Sequence, residues 1–297
     1  MKEYRSLLKP EVLDTVKGLE LVARIVVEGF FWGGNASQRV GVGQEFSQYR
    51  SYEPGDDLRL LDWKMYGRSE RYYIRQSEID TNITVKFVVD ASASMLHQEG
   101  NLTKLQYARL LVASLAYLAR QQGDAFGLYG VNDQHTYSLH PRVDKQHFAR
   151  FLHHLLQVEA EGQWPTQASP ETVFRRGGER ELLVFVTDLY GQQDELEQFI
   201  KRLKTARNEV LLLHVVAANE VAPDYQGVVM LEDLETGQRV QVSAREAQAS
   251  YQAQWADFVA KSQQVALQAG VDYQQFRMDA PLEQALQDFL KRRRYLL

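Results

Sequence analysis

The sequence predicts an α/β fold: a doubly wound, mostly parallel sheet that carries an N-terminal helix and an extended β arm. Two observations lead there. Phe87-Val88-Val89 and Leu182 to Val186 are short apolar runs rich in β-branched and aromatic residues, the pattern of strands buried on both faces of a parallel sheet, and the runs lead into Asp90 and Asp188. Strand and helix patterns then alternate along most of the chain, the order that covers both faces of a sheet with crossover helices.

The elements follow from local pattern. Residues 11 to 31 read as an amphipathic helix, with Glu20, Arg24 and Glu28 four apart on one face and Leu19, Val22, Ala23, Val26 and Phe30 on the other. Gly33-Gly34-Asn35 ends it. The glycines of Val40 to Phe46 lack a following Gly-Lys-Ser/Thr and a strand–loop–helix frame, so this stretch reads as loop and short strand, not a phosphate cradle. Between Arg50 and Arg68, Glu53, Asp56, Asp57 and Asp62 lie among Arg50, Arg59 and Arg68 around the turn Pro54-Gly55. Adjacent guanidiniums lower the pKa of carboxyls, whereas an acid–base pair needs its two values pushed apart. The segment is therefore read as a salt-bridged turn pinning the arm, with Trp63 and Tyr66 as buried anchors and strands at Tyr72 to Ile74 and Ile83 to Val85. Residues 1–80 thus form a helix and arm packed on a main domain, 81–297.

Within the main domain, Leu105 to Arg120 is a buried helix rich in Ala, Leu and Val. Asp124 to Val131 and Thr136 to Leu139 are strands, and Asp144 caps a helix that runs to about Gln157. A loop, Glu159 to Ser169, leads to the strand ending in Asp188. A helix over about Gln193 to Ala206, a strand over Val210 to Val216, and a hairpin follow. The hairpin pairs Val228 to Leu231 with Val240 to Val242 around Glu235-Thr-Gly-Gln238. A long helix from about Ala244 to Ala269, a strand through Tyr273 to Phe276 and a last helix from Pro281 to about Arg294 complete the chain. Lys291 to Arg294 reads as a cationic helix end, where the dipole favours positive charge.

Composition narrows the function. The chain has 297 residues, 44% of them hydrophobic, enough for a sizeable core. A net charge of -5 gives no global attraction to nucleic acid or anionic membrane. The absence of cysteine rules out disulfides, thiolate catalysis and thiolate-ligated metals, and fits a cytoplasmic location. No apolar run reaches the roughly 18 residues needed to span a bilayer. None of the seven histidines falls in a metal-ligand pattern, and only His97 lies close behind the site loop.

Asp90, Ser92 and Ser94 place three oxygen side chains where a buried strand surfaces. At the carboxyl end of a strand in an open α/β sheet this is a candidate site for a hard cation. It is equally the chemistry of a strand cap, in which Asp and Ser satisfy free backbone N–H groups. A second strand ending in Asp188, at the same edge, favours the cation.

Asp90-x-Ser92-x-Ser94, together with Asp188, resembles the metal-ion-dependent adhesion site of von Willebrand factor A domains, whose fold is of Rossmann-like type. Tyr52-Glu-Pro-Gly-Asp-Asp-Leu-Arg-Leu-Leu-Asp-Trp63, with Arg68, resembles the hallmark of a bacterial branch, domain-of-unknown-function family 58 (DUF58), and the likeness covers nearly all of the chain from about Gly41. The resemblance implies a five-oxygen site: Asp90, Ser92 and Ser94 from the first loop, Asp188 from the last, and a middle-loop threonine for which Thr166 is best placed, although Trp164-Pro165 precede it instead of a glycine-rich turn. It implies Mg2+, or another divalent cation such as Mn2+ or Ca2+. Neutral hydroxyls with few carboxylates leave such an ion incompletely neutralised, so another protein's acidic side chain can complete its shell.

The expectation is a non-enzymatic, metal-dependent interaction module. By the same resemblance its partners are a MoxR-type AAA+ ATPase and a client protein that supplies the acidic ligand, in protein maturation or complex assembly, with no nucleic acid and no membrane span. The alternatives are a Mg-dependent phosphatase or hydrolase with Asp90 as nucleophile, for which Ser92 stands where a second aspartate is needed, and a structural domain whose metal site is vestigial.

Overall fold

The computed structural model describes residues 7–33, 48–51, 63–69, 71–76, 83–165, 181–191, 193–204, 208–223, 225–282 and 286. The chain divides into two compact units, residues 37–82 and residues 1–36 with 83–297. In chain order the elements are α1 (Pro10–Leu13), α2 (Val16–Gly33), β1 (Gln48–Ser51), α3 (Trp63–Ser69), β2 (Tyr73–Gln76), β3 (Thr84–Asp90), β4 (Gln98–Glu99), β5 (Leu102–Thr103), α4 (Lys104–Gln122), β6 (Ala125–Val131) and β7 (Thr136–Arg142). They continue with α5 (His147–Gln157), β8 (Glu181–Thr187), α6 (Gln193–Leu203), β9 (Asn208–Val216), α7 (Ala218–Val221), β10 (Val228–Glu232), β11 (Arg239–Ser243), α8 (Ala244–Gln268) and β12 (Asp272–Arg277).

The larger unit is a mixed α/β structure around a six-stranded sheet of order β12-β9-β8-β3-β6-β7, parallel throughout except for the edge strand β7. The period of two decides which face each residue serves. From β3, Val85, Phe87 and Val89 enter one core with helices α2, α4 and α5, while Val88 enters the other. From β8, Leu182, Val184 and Val186 join the first core, and Leu183 and Phe185 pack on the opposite face with Phe199 and Leu203 of α6 and Ala266 of α8. Continuous apolar sequence and burial on both faces are thus one fact. β7 alternates exposed and half-buried residues, as an edge strand should.

The strand order also fixes where a ligand would go. From β3 the chain crosses to β6 on one side, then returns to place β8 on the other. The crossover direction therefore reverses between β3 and β8, and a crevice opens at their carboxyl ends. Asp90 is the last residue of β3 and Asp188 follows β8 directly.

The helix expected over residues 11 to 31 is broken in two. Thr15 Oγ1 donates to the Val12 carbonyl (3.0 Å) and accepts from the Gly18 N–H (3.1 Å), which ends α1 and starts α2. A Cβ on Gly18 would sit 2.0 Å from the Val12 carbonyl oxygen, so only glycine fits this break. Leu19, Val22, Ala23 and Val26 of α2 are buried in the main core, while Arg24 and Glu28 remain on the outer face. α4 begins with a reciprocal capping box between Thr103 and Gln106 and ends at Gly123 in the left-handed conformation. Among the described residues no helix is long and apolar enough to cross a membrane.

In the smaller unit β1 and β2 pair antiparallel. Trp63–Ser69 is helical, not extended, since this run has no breaker before Gly67. Tyr66 is half-buried instead of being a fully buried anchor; its ring stacks on Tyr72 with centroids 4.5 Å apart and an angle of 14° between planes. The acidic and basic residues from Glu53 to Asp62 lie outside the described residues, as does most of the final helix.

Candidate metal centre

The loop after β3 is held by its neighbours before any ligand is considered. Ala91 donates to the Val131 carbonyl (3.0 Å) and accepts from Glu161 (3.0 Å), and Ala93 donates to the Gly162 carbonyl (3.0 Å). Asn132, at the end of β6, is buried and uses both ends of its amide: Nδ2 donates to the carbonyls of Ala91 (3.1 Å) and Glu159 (3.3 Å), and Oδ1 accepts from Gln134 (3.0 Å) and His135 (2.5 Å). Ser92 and Ser94 are thereby fixed at the carboxyl end of β3, with a turn of 3-10 helix over Ala93–Leu96.

Four of the five residues anticipated from the sequence converge. Asp90, Ser92, Ser94 and Asp188 are all buried. Asp90 Oδ1 accepts from the Ser92 N–H (3.0 Å) and the Ser92 hydroxyl (2.7 Å), and Oδ2 from the Thr187 hydroxyl (2.6 Å). Ser92 Oγ lies 2.9 Å from Ser94 Oγ, and Ser94 donates to Asp188 Oδ1 at 3.2 Å. The strand-cap chemistry is therefore present too, since Ser92 N–H and Tyr190 N–H (3.1 Å) are each bonded by one of the two aspartates. Leu189, next to Asp188, has φ +59, an uncommon conformation for a bulky residue, held by the bond from its N–H to Thr187 Oγ1 (2.9 Å). Thr166 lies outside the described residues; its loop, as far as Pro165, packs beside the site, with Trp164 buried against Phe185 and Phe199.

Four further residues complete the centre. Lys104, the first residue of α4, is buried, and its ammonium donates to Asp188 Oδ2 (2.7 Å) and to Glu220. His214 on β9 sits behind Asp188. Its Nε2 lies 3.1 Å from the Asp188 carbonyl, which can only accept, so Nε2 carries the proton and Nδ1 accepts from the Tyr273 hydroxyl (2.6 Å). His97, the histidine singled out from the sequence, instead lies at the rim against Asn219 Oδ1 (2.9 Å). The last is Glu235, at the tip of the β10–β11 hairpin, which extends over the two serines.

The two hydroxyls lie among carboxylates. Ser92 bonds Asp90 and Ser94 bonds Asp188, and the two serines also bond each other. Glu235 faces the same two hydroxyls, and three ionised carboxylates, all acceptor-only, then compete for two protons. Glu235 Oε1 is correspondingly buried without a hydrogen-bond partner. Acceptors converging on acceptors are stabilised by a cation between them.

Electrostatics agree. Desolvation and the charge of Asp188 push the Asp90 carboxyl up to about 7. Desolvation, offset in part by the Ser94 and Ser92 hydroxyls and reinforced by Asp188, places Glu235 at about 7 as well. Burial raises Asp188 too, but the Lys104 ammonium outweighs it and holds the carboxyl below the usual range. Burial drives His214 down to about 4, so it is neutral. Lys104 thus serves Asp188 and Glu220, and a divalent cation would favour the ionised forms of Asp90 and Glu235. The oxygen donors Asp90, Ser92, Ser94 and Asp188 suit a hard cation and not a soft metal, while among the described residues no three His, Asp or Glu side chains gather as a metal-binding group.

Fold and site together define a mixed α/β protein with an oxygen-lined centre at the switch point of a mostly parallel sheet. The model of the family described as "Protein of unknown function DUF58" matches residues 48–264, and the chain belongs to that family. An uncharacterized protein of Mycobacterium tuberculosis is 26% identical over 231 residues, 77% of this chain and 72% of that protein, and one from Mycobacterium bovis matches to the same extent. Among solved structures, the conserved hypothetical protein BatB from Bacteroides thetaiotaomicron is 13% identical, with a TM-score of 0.44 over 71% of this chain and 98% of that one. An aerotolerance-related membrane protein from Bacteroides fragilis is 16% identical, with a TM-score of 0.46 over 71% of this chain and 98% of that one.

Proposed function

We propose that the protein is a non-enzymatic, cation-dependent interaction module of von Willebrand factor A type. In this reading Asp90, Ser92, Ser94 and Asp188 hold Mg2+ or a similar divalent ion, with Thr166 as a fifth ligand. The observation that carries the reading is the convergence of Asp90, Ser92, Ser94 and Asp188: each serine hydroxyl bonds an aspartate and keeps lone pairs that a cation can use. The site is poorly equipped for nucleophilic chemistry, since Asp90 is fully buried with both oxygens already accepting hydrogen bonds. When bound, the ion supplies a positive centre that an acidic side chain can join.

The surroundings favour a protein partner. Beside the centre, Tyr190, Tyr225, Met230, Leu231, Leu234 and Val240 are exposed, an apolar concentration of the kind that marks contact surfaces. A cavity of about 670 Å³ opens between the hairpin and the body, with Glu232 and Tyr251 also on its walls. The partner in this reading is a MoxR-type AAA+ ATPase, with the protein acting as its adaptor toward a client in maturation or assembly. The test is binding of the ATPase from the same organism in Mg2+ and in chelator, with wild type and Asp90→Asn. The expected result is binding by wild type in Mg2+ only and no binding by the variant, with circular dichroism unchanged. ATPase binding that survives both chelator and the substitution would refute it.

A further inference from the structure

The hairpin tip has no structural need of a carboxylate at residue 235. The turn is made by Asp233, whose Oδ1 accepts from the N–H groups of Glu235 (2.8 Å) and Thr236 (3.2 Å), and by Gly237 with φ +69. Glu232 is paired with Arg239 across the hairpin (3.1 Å). Glu235 does none of this. Its side chain turns inward to Ser94 and Ser92, whose hydroxyls ease its ionisation, and Oε1 is left buried without a hydrogen-bond partner. Lys104 does not serve it, because that ammonium is bonded to Asp188 and Glu220.

We propose that Glu235 is an internal ligand of the cation centre, placing its carboxylate in the coordination position otherwise open to the acidic side chain of a partner. This rests on the cation reading above and sharpens it. The sequence reading leaves that position for another protein, whereas the chain's own hairpin reaches it. The hairpin then acts as a displaceable cover: a partner's carboxylate must compete with Glu235, and the exposed apolar residues of β10 and β11 beside the tip are placed to meet that partner. Glu235 acts by contact with the ion, and Asp233 acts only by positioning it.

The experiment titrates the full chain with Mn2+ and measures both affinity and the number of water molecules on the bound ion, by water-proton relaxation. Wild type, Glu235→Ala, Glu235→Gln and Asp90→Asn are compared, with folding checked by circular dichroism. In Glu235→Ala the affinity should fall on the order of tenfold, because a charged ligand is lost, and the bound ion should gain one water. Millimolar acetate should displace that water from Glu235→Ala but leave wild type unchanged. Glu235→Gln should fall between the two. If wild type binds Mn2+ and Glu235→Ala matches it in affinity and hydration, the inference fails while the cation reading stands. Lower affinity without the added water would show action through charge alone and would also overturn it. Wild type that binds no Mn2+ overturns both.

Discussion

Replacing Lys104 by methionine, of similar length and without charge, removes the ammonium that Asp188 and Glu220 share. The Lys104 and Asp188 side chains are 3% and 0% exposed and lie 2.7 Å apart, so water cannot take over the lost contact. Breaking a buried pair while leaving one charge behind costs about 3–5 kcal/mol. Glu220, at 18% exposure, can recover hydration and adds little. The loss carries a pH signature. In the wild type the Asp188 carboxyl lies below its ordinary value, so its contribution is present at neutral pH and is lost only as pH falls through the folded-state value. In Lys104→Met the same carboxyl is buried without its cation and its pKa rises, so the penalty develops as pH increases above about 4. The variant should therefore be closest to wild type in acid and furthest from it near pH 8. Equilibrium urea unfolding followed by tryptophan fluorescence, in chelator, measures both effects. Added Mg2+ should narrow the gap at pH 8 by binding the folded state. A deficit below about 1 kcal/mol, constant with pH, would refute the assignment of Lys104 as the charge partner of Asp188.

Two further outcomes follow from the same geometry. Asn132→Ala leaves the Glu159 carbonyl and the N–H groups of Gln134 and His135 without their partner and should cost about 1–2 kcal/mol in urea unfolding, since these residues are exposed, water can reach the freed groups, and a net hydrogen bond is worth about 0.5–1.5 kcal/mol; Asn132→Asp keeps Oδ1 but sets a second acceptor against the Ala91 and Glu159 carbonyls, so its cost should shrink as pH falls and the carboxyl is protonated, and a cost that does not change with pH would contradict the orientation of the amide. His214 and Asp90 pull the pH profile in opposite directions: neutral His214, with a folded value of about 4 against about 6.5 when unfolded, contributes on the order of 3 kcal/mol that is fully present above about 6.5 and lost as pH falls through 4, whereas Asp90 at about 7 disfavours the cation-free fold as pH rises above about 4. His214→Gln should flatten the acid limb and Asp90→Asn the neutral one, and an unfolding profile in chelator that neither substitution alters would contradict both assignments.

The central strands were legible because burial on both faces leaves an unmistakable sequence trace, and because Asp90 and Asp188 interrupt that trace at the same end. Local chemistry also marked the turn Glu235 to Gln238, whereas Asp144, expected to cap α5, instead makes a turn with Gln146, which holds the cap position without a side-chain bond. The failures have one physical origin. Lys104 reads as an ordinary exposed first residue of a helix until β8 and α7 close over it, and His214 as one polar residue in a hydrophobic strand until the Asp188 carbonyl and Tyr273 bracket it. Each owes its role to partners many residues away, which no spacing rule can supply. The α1–α2 break carried a local signal in Thr15 and Gly18, but the apolar period of 3.6 ran through it and masked it.

Glu235 shows the same limit more sharply, because its turn was recognised and its role was not. In a hairpin tip the sequence Asp-Leu-Glu-Thr-Gly is fully explained by turn formation, and a glutamate there is expected to face water. Placing the tip over β3 instead turns that glutamate toward the two serines at the strand's carboxyl end. Beyond those two hydroxyls the protein offers it no donor that reaches Oε1, so its partial burial is unfavourable unless a positive charge joins it. A divalent ion answers that need. On this account the hairpin and the metal loops depend on one another: the ion would hold the hairpin down, and whatever carboxylate replaces Glu235 would release it.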